Sequence, residues 1–312
     1  MLTDAQNTAI VRTELDTVFY QEWEYDTAFP NPSHATASDG EVFKPMYTTH
    51  QAFIQEVFKG SPLFPAIGET QTVPLSQPNV ANKQTIVVND YAQGIEISKN
   101  LFDDNMHGVW ANAVKDFALK ARLTQDKTAF GLFNNGFTTT LTADGAAWFS
   151  AHTTISGAVV TNFTSGAASA LSTDSLNTAM VAMQVQKDQA GVIVGSRPSV
   201  LVVPPALLKH ALEITNSALI ADSGNNNINV YRSAYGFKVV TNQYLDSSAG
   251  GSDTAWFLLA RNHSITRLIR QGIQTALRDW TMSNNRTYFY QANYRESYFV
   301  SDYVGTYASK GV

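Results

Sequence analysis

Two stretches of the chain repeat apolar residues at the three-to-four spacing of a helix buried on one face. The first predicts a helix from about Asp4 to Trp23, and the polar, proline-containing segment 27–40 that follows it predicts an extended arm. The second predicts a helix over residues 101–134, with Gly136 available to end it. At 1.5 Å per residue this second helix would be a rod about 50 Å long.

Between these helices, residues 60–98 combine turn signals with short β-branched runs. The runs Gln84–Val88 and Gly94–Ser98 are separated by the polar pair Asn89–Asp90, which predicts two strands of one long hairpin. A two-stranded hairpin is marginally stable alone, so this one needs another surface to lie on.

The second half of the chain alternates short helices with strands, which predicts an α+β unit. Ser172 or Thr173 can cap a helix over 176–186, and Pro205 suits the first turn of a helix that ends near Ile214. Apolar or aromatic runs mark the strands. The expected strands are 199–203, 237–240, 256–260 and those within the tyrosine-rich stretch 287–307.

Composition adds an indication of assembly. Only 15% of the 312 residues are charged, and the 31 Thr and 22 Asn together outnumber the 47 charged residues. Interface cores are depleted of Lys, Glu and Asp, so a surface with so little charge favours a protein that associates. The absence of cysteine excludes disulfides, thiol nucleophiles and Cys-ligated metals. No signal peptide or membrane-spanning run is expected.

The remaining charge is segregated along the chain. Residues 1–42 have a balance of −7, residues 261–295 a balance of +5, and we predict that these segments make contact within or between subunits. The candidate assembly residues are Asp4, Glu14, Asp16, Glu22, Glu24, Asp26, Lys83, Arg261, Arg267, Arg270, Arg278, Arg286 and Arg295. We expect these arginines to pair with acidic protein surface and not with DNA phosphates, although a guanidinium binds carboxylates and phosphates alike. The net charge of −5 is unlike that of a dedicated nucleic-acid binder.

The sequence contains no convincing catalytic, metal-binding or phosphate-binding motif. The six histidines lie at least 16 residues apart, so no helical zinc pair exists, and no G-x-S-x-G elbow presents a serine. Gly131–Gly136 has the glycine spacing of a phosphate-binding loop, but Phe137 replaces its lysine. The Asn-rich stretch 222–229 lacks the ligand pattern of a calcium loop. We therefore expect no enzyme, no cofactor and no metal site.

The order of these parts resembles the major capsid proteins of tailed bacteriophages of the Hong Kong 97 type. The resemblance covers nearly the whole chain and rests on structural patterns. The matching stretches are Gln84–Asn100 leading into the long helix, Lys120–Phe130 within it, Asp144–His152, Leu176–Gly191 and Arg197–Pro205.

This resemblance implies an α+β capsid fold with four parts. They are an N-terminal helix and arm (1–59), an extended loop (60–98), a peripheral domain with a spine helix (99–144 and 269–312) and an axial domain (145–268). It also implies self-assembly into hexamers and pentamers of an icosahedral virion shell in the host cytoplasm. Packaged double-stranded DNA would be contacted non-specifically, and the shell would meet portal, scaffolding and decoration proteins, with scaffolding expected as a separate protein.

Two other interpretations stay open. One is an encapsulin-like compartment, which shares the fold and encloses a cargo enzyme in place of DNA. The other is a tail-tube or decoration protein, which would form rings or surface knobs. Some members of the capsid family cross-link through a lysine of the extended loop and a neighbour's asparagine. Lys83, Asn284 and Asn285 are available, but no residue marks the catalytic acid.

Overall fold

The computed structural model describes residues 4–24, 32–75, 79–104, 109–166, 169–218, 228–282 and 285–311. The helices are α1 Asp4–Trp23, α2 Lys99–Asp103, α3 Val109–Asn134, α4 Thr173–Gln184 and α5 Leu208–Asn216. The first strands are β1 Lys44–Tyr47, β2 Ala52–Phe58, β3 Val80–Val87, β4 Asn89–Ser98, β5 Ala151–Thr153, β6 Val159–Thr161 and β7 Phe163–Thr164. The others are β8 Pro198–Val203, β9 Lys238–Thr241, β10 Trp256–Ala260, β11 Ile265–Arg278, β12 Thr287–Val300 and β13 Thr306–Ser309.

A four-stranded sheet in the order β1-β11-β12-β4 forms one half of the molecule. Its long strands β11 and β12 are antiparallel, and α1 packs on it together with the first half of α3. Apolar residues of α1 at helical spacing, Val11, Leu15 and Phe19, are buried against Phe117 of α3 and Tyr290 of β12. The predicted N-terminal helix is therefore confirmed, and burial of this face holds it.

A five-stranded sheet in the order β7-β13-β10-β8-β9 forms the other half. Both faces are covered: α4 and α5 pack on one, and the end of α3 with residues 35–43 packs on the other. This two-sided burial explains why β10 is apolar throughout. The predicted strands and the α+β class are confirmed, as are the cap at Ser172 and the helical turn that Pro205 opens before α5.

The predicted pairing within residues 60–98 is wrong. Strand β3 pairs with β2, from Ala52↔Val87 to Phe58↔Val80, whereas β4 pairs with β12 in the four-stranded sheet. Only Val88 separates β3 from β4, and Asn89 and Asp90 lie in β4 and not in a turn. The reason is tertiary: β4 finds a partner two hundred residues away whose pairing outweighs the local turn signal.

Two further expectations need correction. In place of the single helix predicted over residues 101–134, the structure has two helices, α2 and α3. Helix α3 spans 26 residues, so it is about 39 Å long at 1.5 Å per residue and shorter than the predicted 50 Å. Residues 32–40 are not an extended arm, because Ala35 and Ala37 are fully buried in the core. The backbone of Ala35 is hydrogen-bonded to Thr241 and to the Asn242 side chain, at 3.0 and 2.8 Å. Residues 27–31 of the expected arm lie outside the described residues.

Candidate assembly surface

Among the described residues, exposed apolar side chains are concentrated in the extended hairpin, which comprises β2, β3 and their connection, residues 52–87. Its base is anchored: Phe53 and Ile86 pack with Leu268 and Phe299 of the four-stranded sheet. Lys83 forms a 2.7 Å ion pair with Glu56, its cross-strand neighbour. Lys83 therefore has a role inside the hairpin, and its predicted role in assembly stays a prediction.

The hairpin tip, residues 59–75, presents apolar side chains to solvent. Among the described residues 21 large hydrophobic side chains are exposed, and ten of them lie between residues 47 and 87. In the tip, Phe64 is 97% exposed, Leu75 93% and Leu63 76%. Single exposed hydrophobic residues are ordinary, but a contiguous group of this kind marks a site of interaction.

These tip residues are not among the assembly residues predicted from the sequence. A signal was available, since apolar residues in a proline-rich segment without helical or strand periodicity have no core of their own to enter. Pro62, Pro65 and Pro74 fix the backbone φ angle at three positions of the tip, which limits how the tip can fold back on its own subunit. Gly60 has φ +81°, and a Cβ added there would lie 3.3 Å from the Asp188 carboxylate. The tip thus leaves the subunit beside the loop that contains Asp188.

Within the described residues, helix α1 meets the basic segment 261–295 through hydrogen bonds that involve hydroxyl groups and not through ion pairs with its arginines. The Asp16 carboxylate accepts hydrogen bonds from the Thr275 hydroxyl and from the Tyr290 hydroxyl, each at 2.7 Å. Burial and this carboxylate together raise the pKa of Tyr290 far above its ordinary value. Asp16 therefore fastens α1 to β11 and β12 of the same subunit.

We expect Asp16→Ala to destabilise the folded subunit by about 1–3 kcal/mol, because two hydroxyls, one on a fully buried tyrosine, lose their shared acceptor. Hydrogen exchange of the α1 amides should accelerate together with the loss measured by urea unfolding. Glu14→Ala is the matched control, since Glu14 is exposed on the same helix. Equal effects of the two substitutions would contradict the role of Asp16.

Two of the arginines predicted for assembly form ion pairs inside the subunit. Arg267 contacts Glu296 at 2.7 Å with both side chains largely buried, and Arg295 contacts Asp90 at 2.9 Å in a more exposed pair. Arg267 also donates to the Ser38 hydroxyl at 2.8 Å, so it joins the N-terminal segment to the sheet. The ionic partners of these two arginines, Glu296 and Asp90, are therefore not acids of residues 1–42.

The other arginines are distributed around the molecule. Arg278 lies over the Phe289 ring, with its guanidinium carbon 5.2 Å from the ring centroid, and Arg286 lies over Trp280 at 5.8 Å. Arg286 has φ +54°, a backbone conformation that side chains rarely adopt. Arg270 is half-buried, and Arg261 is exposed where β10 ends.

The remaining candidate acids belong to α1 and to the segment after it. Glu14 and Glu24 are exposed and Glu22 is half-buried. Asp4 begins the helix, and Asp26 lies outside the described residues. The segment that follows does reach a cation: Asp39 and Glu41 contact Lys238 at 3.0 and 2.9 Å.

Two buried histidines, His152 and His263, resemble catalytic or metal-binding residues, but hydrogen bonds within the subunit account for both. His152 has its Nδ1 2.7 Å from Asp144 and its Nε2 3.0 Å from the Trp148 carbonyl. Both partners are acceptor oxygens and the ring is fully buried, so neither ring nitrogen is open to a substrate or a metal. Burial works to raise the pKa of Asp144, but hydrogen bonds from His152 and Thr142 outweigh it and lower that pKa to about 2.

His263 is bonded in the opposite way. Its Nε2 donates to the Glu41 carbonyl at 2.9 Å, and its Nδ1 accepts from the Ile265 N–H at 3.2 Å, which fixes the neutral ring. Burial lowers its pKa to about 4, helped by the nearby Lys44 and opposed by the bond to Glu41. His263 thus joins the N-terminal segment to the start of β11.

His263 should make the stability of the folded subunit depend on pH. The unfolded chain binds a proton near pH 6.5 and the folded chain only near pH 4, so stability falls as pH decreases between these values. The loss is about 3 kcal/mol at most. Urea unfolding between pH 7 and 4 should show this slope, and His263→Gln should flatten it, whereas His34→Gln should not. An unchanged slope in His263→Gln would contradict the assignment.

No group of three or more His, Asp and Glu side chains in the described parts of the chain could hold a metal ion. No described helix is long and apolar enough to cross a membrane.

Comparison with known proteins agrees with this geometry. Residues 82–309 match the family described as "Phage capsid protein". Searching the curated proteins gave no match. Among solved structures, the chain is similar to one from Microbacterium phage Oxtober96, with a TM-score of 0.56 and 14% identity over 89% of this chain and 92% of that one.

Two further structures share the fold. The capsid of a native GTA particle matches with a TM-score of 0.58 and 16% identity over 88% of this chain and 90% of that one. A virus-like particle from Pyrococcus furiosus matches with a TM-score of 0.54 and 9% identity over 95% and 98%. At these identities the structures show a common fold.

Proposed function

The chain belongs to the phage capsid protein family, and from this premise we propose that its copies assemble into the hexamers and pentamers of an icosahedral head shell around double-stranded DNA. As a major capsid protein it is a structural component of the virion. The Hong Kong 97-type fold expected from the sequence is confirmed by the family match and by the solved capsids.

One observation carries the proposed mode of assembly: a hairpin that is anchored at its base and apolar at its exposed tip. Leu63, Phe64 and Leu75 are exposed in the isolated subunit, although burial of one such side chain contributes about 1.5–3 kcal/mol. The hairpin tip supplies this energy when it lies on a neighbouring subunit. Obligate interfaces bury on the order of 2,000 Å² or more, which an extended hairpin reaches more easily than a compact surface does.

The subunit's role is structural and not catalytic. Both nitrogens of His152 are bonded to acceptors, and His263 is held neutral by a donor and an acceptor. Neither can transfer a proton without breaking the bonds that hold its neighbours. The proposed partners are further copies of the chain, a separate scaffolding protein, a portal and decoration proteins.

Electron microscopy of the purified full-length protein, alone and with its scaffolding protein, tests the proposal. Closed shells are expected, and nuclease-protected DNA is expected inside particles from infected cells. Subunits that remain monomeric under every condition would contradict it. Rings without closure would favour a tail-tube protein, and shells filled with a cargo enzyme would favour a compartment.

A further inference from the structure

A basic cavity lies at one end of the five-stranded sheet, where β8 begins and β10 ends. Its volume is about 660 Å³. The lining includes Val194, Arg197, Tyr235, Arg261 and Asn262. Asn262 donates to the Ser196 hydroxyl at 2.9 Å, so the floor of the cavity is ordered by the fold itself.

The two arginines of this cavity have donors to spare. Arg197 is held by one hydrogen bond to the Ala234 carbonyl and by the Tyr235 ring, whose centroid is 5.0 Å from the guanidinium carbon. A guanidinium has five N–H donors, so this orientation leaves most of them available. Arg261 is exposed, and within the described residues its guanidinium has no ion pair or hydrogen bond.

Among the described residues, no acidic side chain lines the cavity to balance these charges. Lys238, opposite Val200 of β8 in the sheet, is already paired with Asp39 and Glu41. One side of the rim is apolar, since Val194 is 42% exposed and the adjacent Ile193 57%. The cavity therefore suits a carboxylate on an otherwise apolar segment, because an arginine binds a carboxylate through paired donors.

The chain itself contains such a segment. Glu69 is the single acidic residue of the hairpin tip, it is exposed, and it has no ion pair within the described residues. Apolar side chains lie two residues before it and four residues after it, where Ile67 is 50% and Val73 62% exposed. The Glu69 carboxylate is thus complementary to the cavity in charge, and the exposed apolar side chains of the tip match the apolar part of its rim.

We infer that the hairpin tip of a second copy docks at this cavity and places the Glu69 carboxylate between Arg197 and Arg261. The inference rests on the proposed function, which brings the tip of one subunit onto its neighbour. A DNA phosphate would also suit two arginines. The apolar part of the rim favours the tip over a nucleic-acid backbone, whose binding depends on charge.

The absence of cysteine makes a direct test possible. The full-length variant E69C/R261C is assembled and treated with a short bismaleimide, because an ion pair of long side chains leaves the Cα atoms farther apart than the 4.4–6.8 Å of a disulfide. Denaturing gels should show covalent dimers and larger oligomers. The matched control is E69C/R232C, since Arg232 is exposed on the same turn as Tyr235 but does not line the cavity.

Each outcome decides the inference. Particles of normal appearance that give only monomers, intramolecular products, or no more oligomer than E69C/R232C would overturn it. If E69C/R261C does not assemble, charge exchange decides: E69R and R261E should each reduce particle yield several-fold, and E69R/R261E should restore it. Failure of that rescue overturns the inference. Failure of the unaltered protein to assemble contradicts the proposed function instead.

Discussion

Serine in place of Leu63, Phe64 and Leu75 is expected to abolish shell assembly and to leave the subunit folded. These side chains are 76–97% exposed, so their removal costs the isolated subunit almost nothing. In the shell they would be buried, and each contact would lose about 1.5–3 kcal/mol per side chain. Since a shell repeats the contact at every subunit, the loss accumulates. Sedimentation and electron microscopy measure assembly, and circular dichroism with urea unfolding measures the fold.

Val159→Ser is the matched control, because Val159 is 66% exposed on β6 and is not part of the extended hairpin. It should assemble like the unaltered protein. Normal shells from the triple variant would show that the tip does not hold the subunits together. Unfolded subunits would show that the tip packs on its own chain, contrary to the exposures described above.

Those elements whose signals are local could be predicted from the sequence. The cap at Ser172 and the proline that opens the turn before α5 act on backbone groups within a few residues, so neither depends on the rest of the fold. The apolar face of α1 is equally local, although its partners on β12 are not. Periodicity predicted that this face is buried, and only the structure shows that it is buried against the four-stranded sheet.

Strand pairing could not be predicted because it is not local. Asn89 and Asp90 favour a turn by composition, yet Asp90 lies directly opposite Arg295 of β12 and forms an ion pair with it. The polar residue that suggested a turn is a cross-strand partner. Sequence order places β3 and β4 next to each other, and the hydrogen bonds send them to different sheets.

The charge pattern was informative about contact but not about partners. The segments 1–42 and 261–295 do meet, through Asp16 and through Ser38. In each of these contacts only one partner is charged: the Asp16 carboxylate accepts from a hydroxyl, and Arg267 donates to the Ser38 hydroxyl. Glu296 lies one residue beyond the basic segment and is the ionic partner of Arg267. A balance counted over a window cannot identify the carboxylate on the neighbouring strand that satisfies a given arginine.

Removal of this carboxylate is expected to destabilise the subunit strongly. Glu296 is 2% exposed, and it accepts from Arg267 at 2.7 Å and from the Tyr298 hydroxyl at 2.8 Å. Glu296→Ala would leave a largely buried guanidinium without its counterion, which costs about 3–5 kcal/mol. Urea unfolding of the assembly-deficient triple serine variant, with and without Glu296→Ala, measures this loss on unassembled subunits.

Asp90→Ala is the control, because it removes the carboxylate of the exposed pair with Arg295, worth about 1 kcal/mol or less. The double variant R267M/E296M should recover much of the stability, since apolar replacement of both partners removes the charge and its desolvation penalty together. A loss in Glu296→Ala no greater than in Asp90→Ala would mean that water reaches Arg267. Arg267 would then be available to a neighbouring subunit, as its place among the candidate assembly residues first suggested.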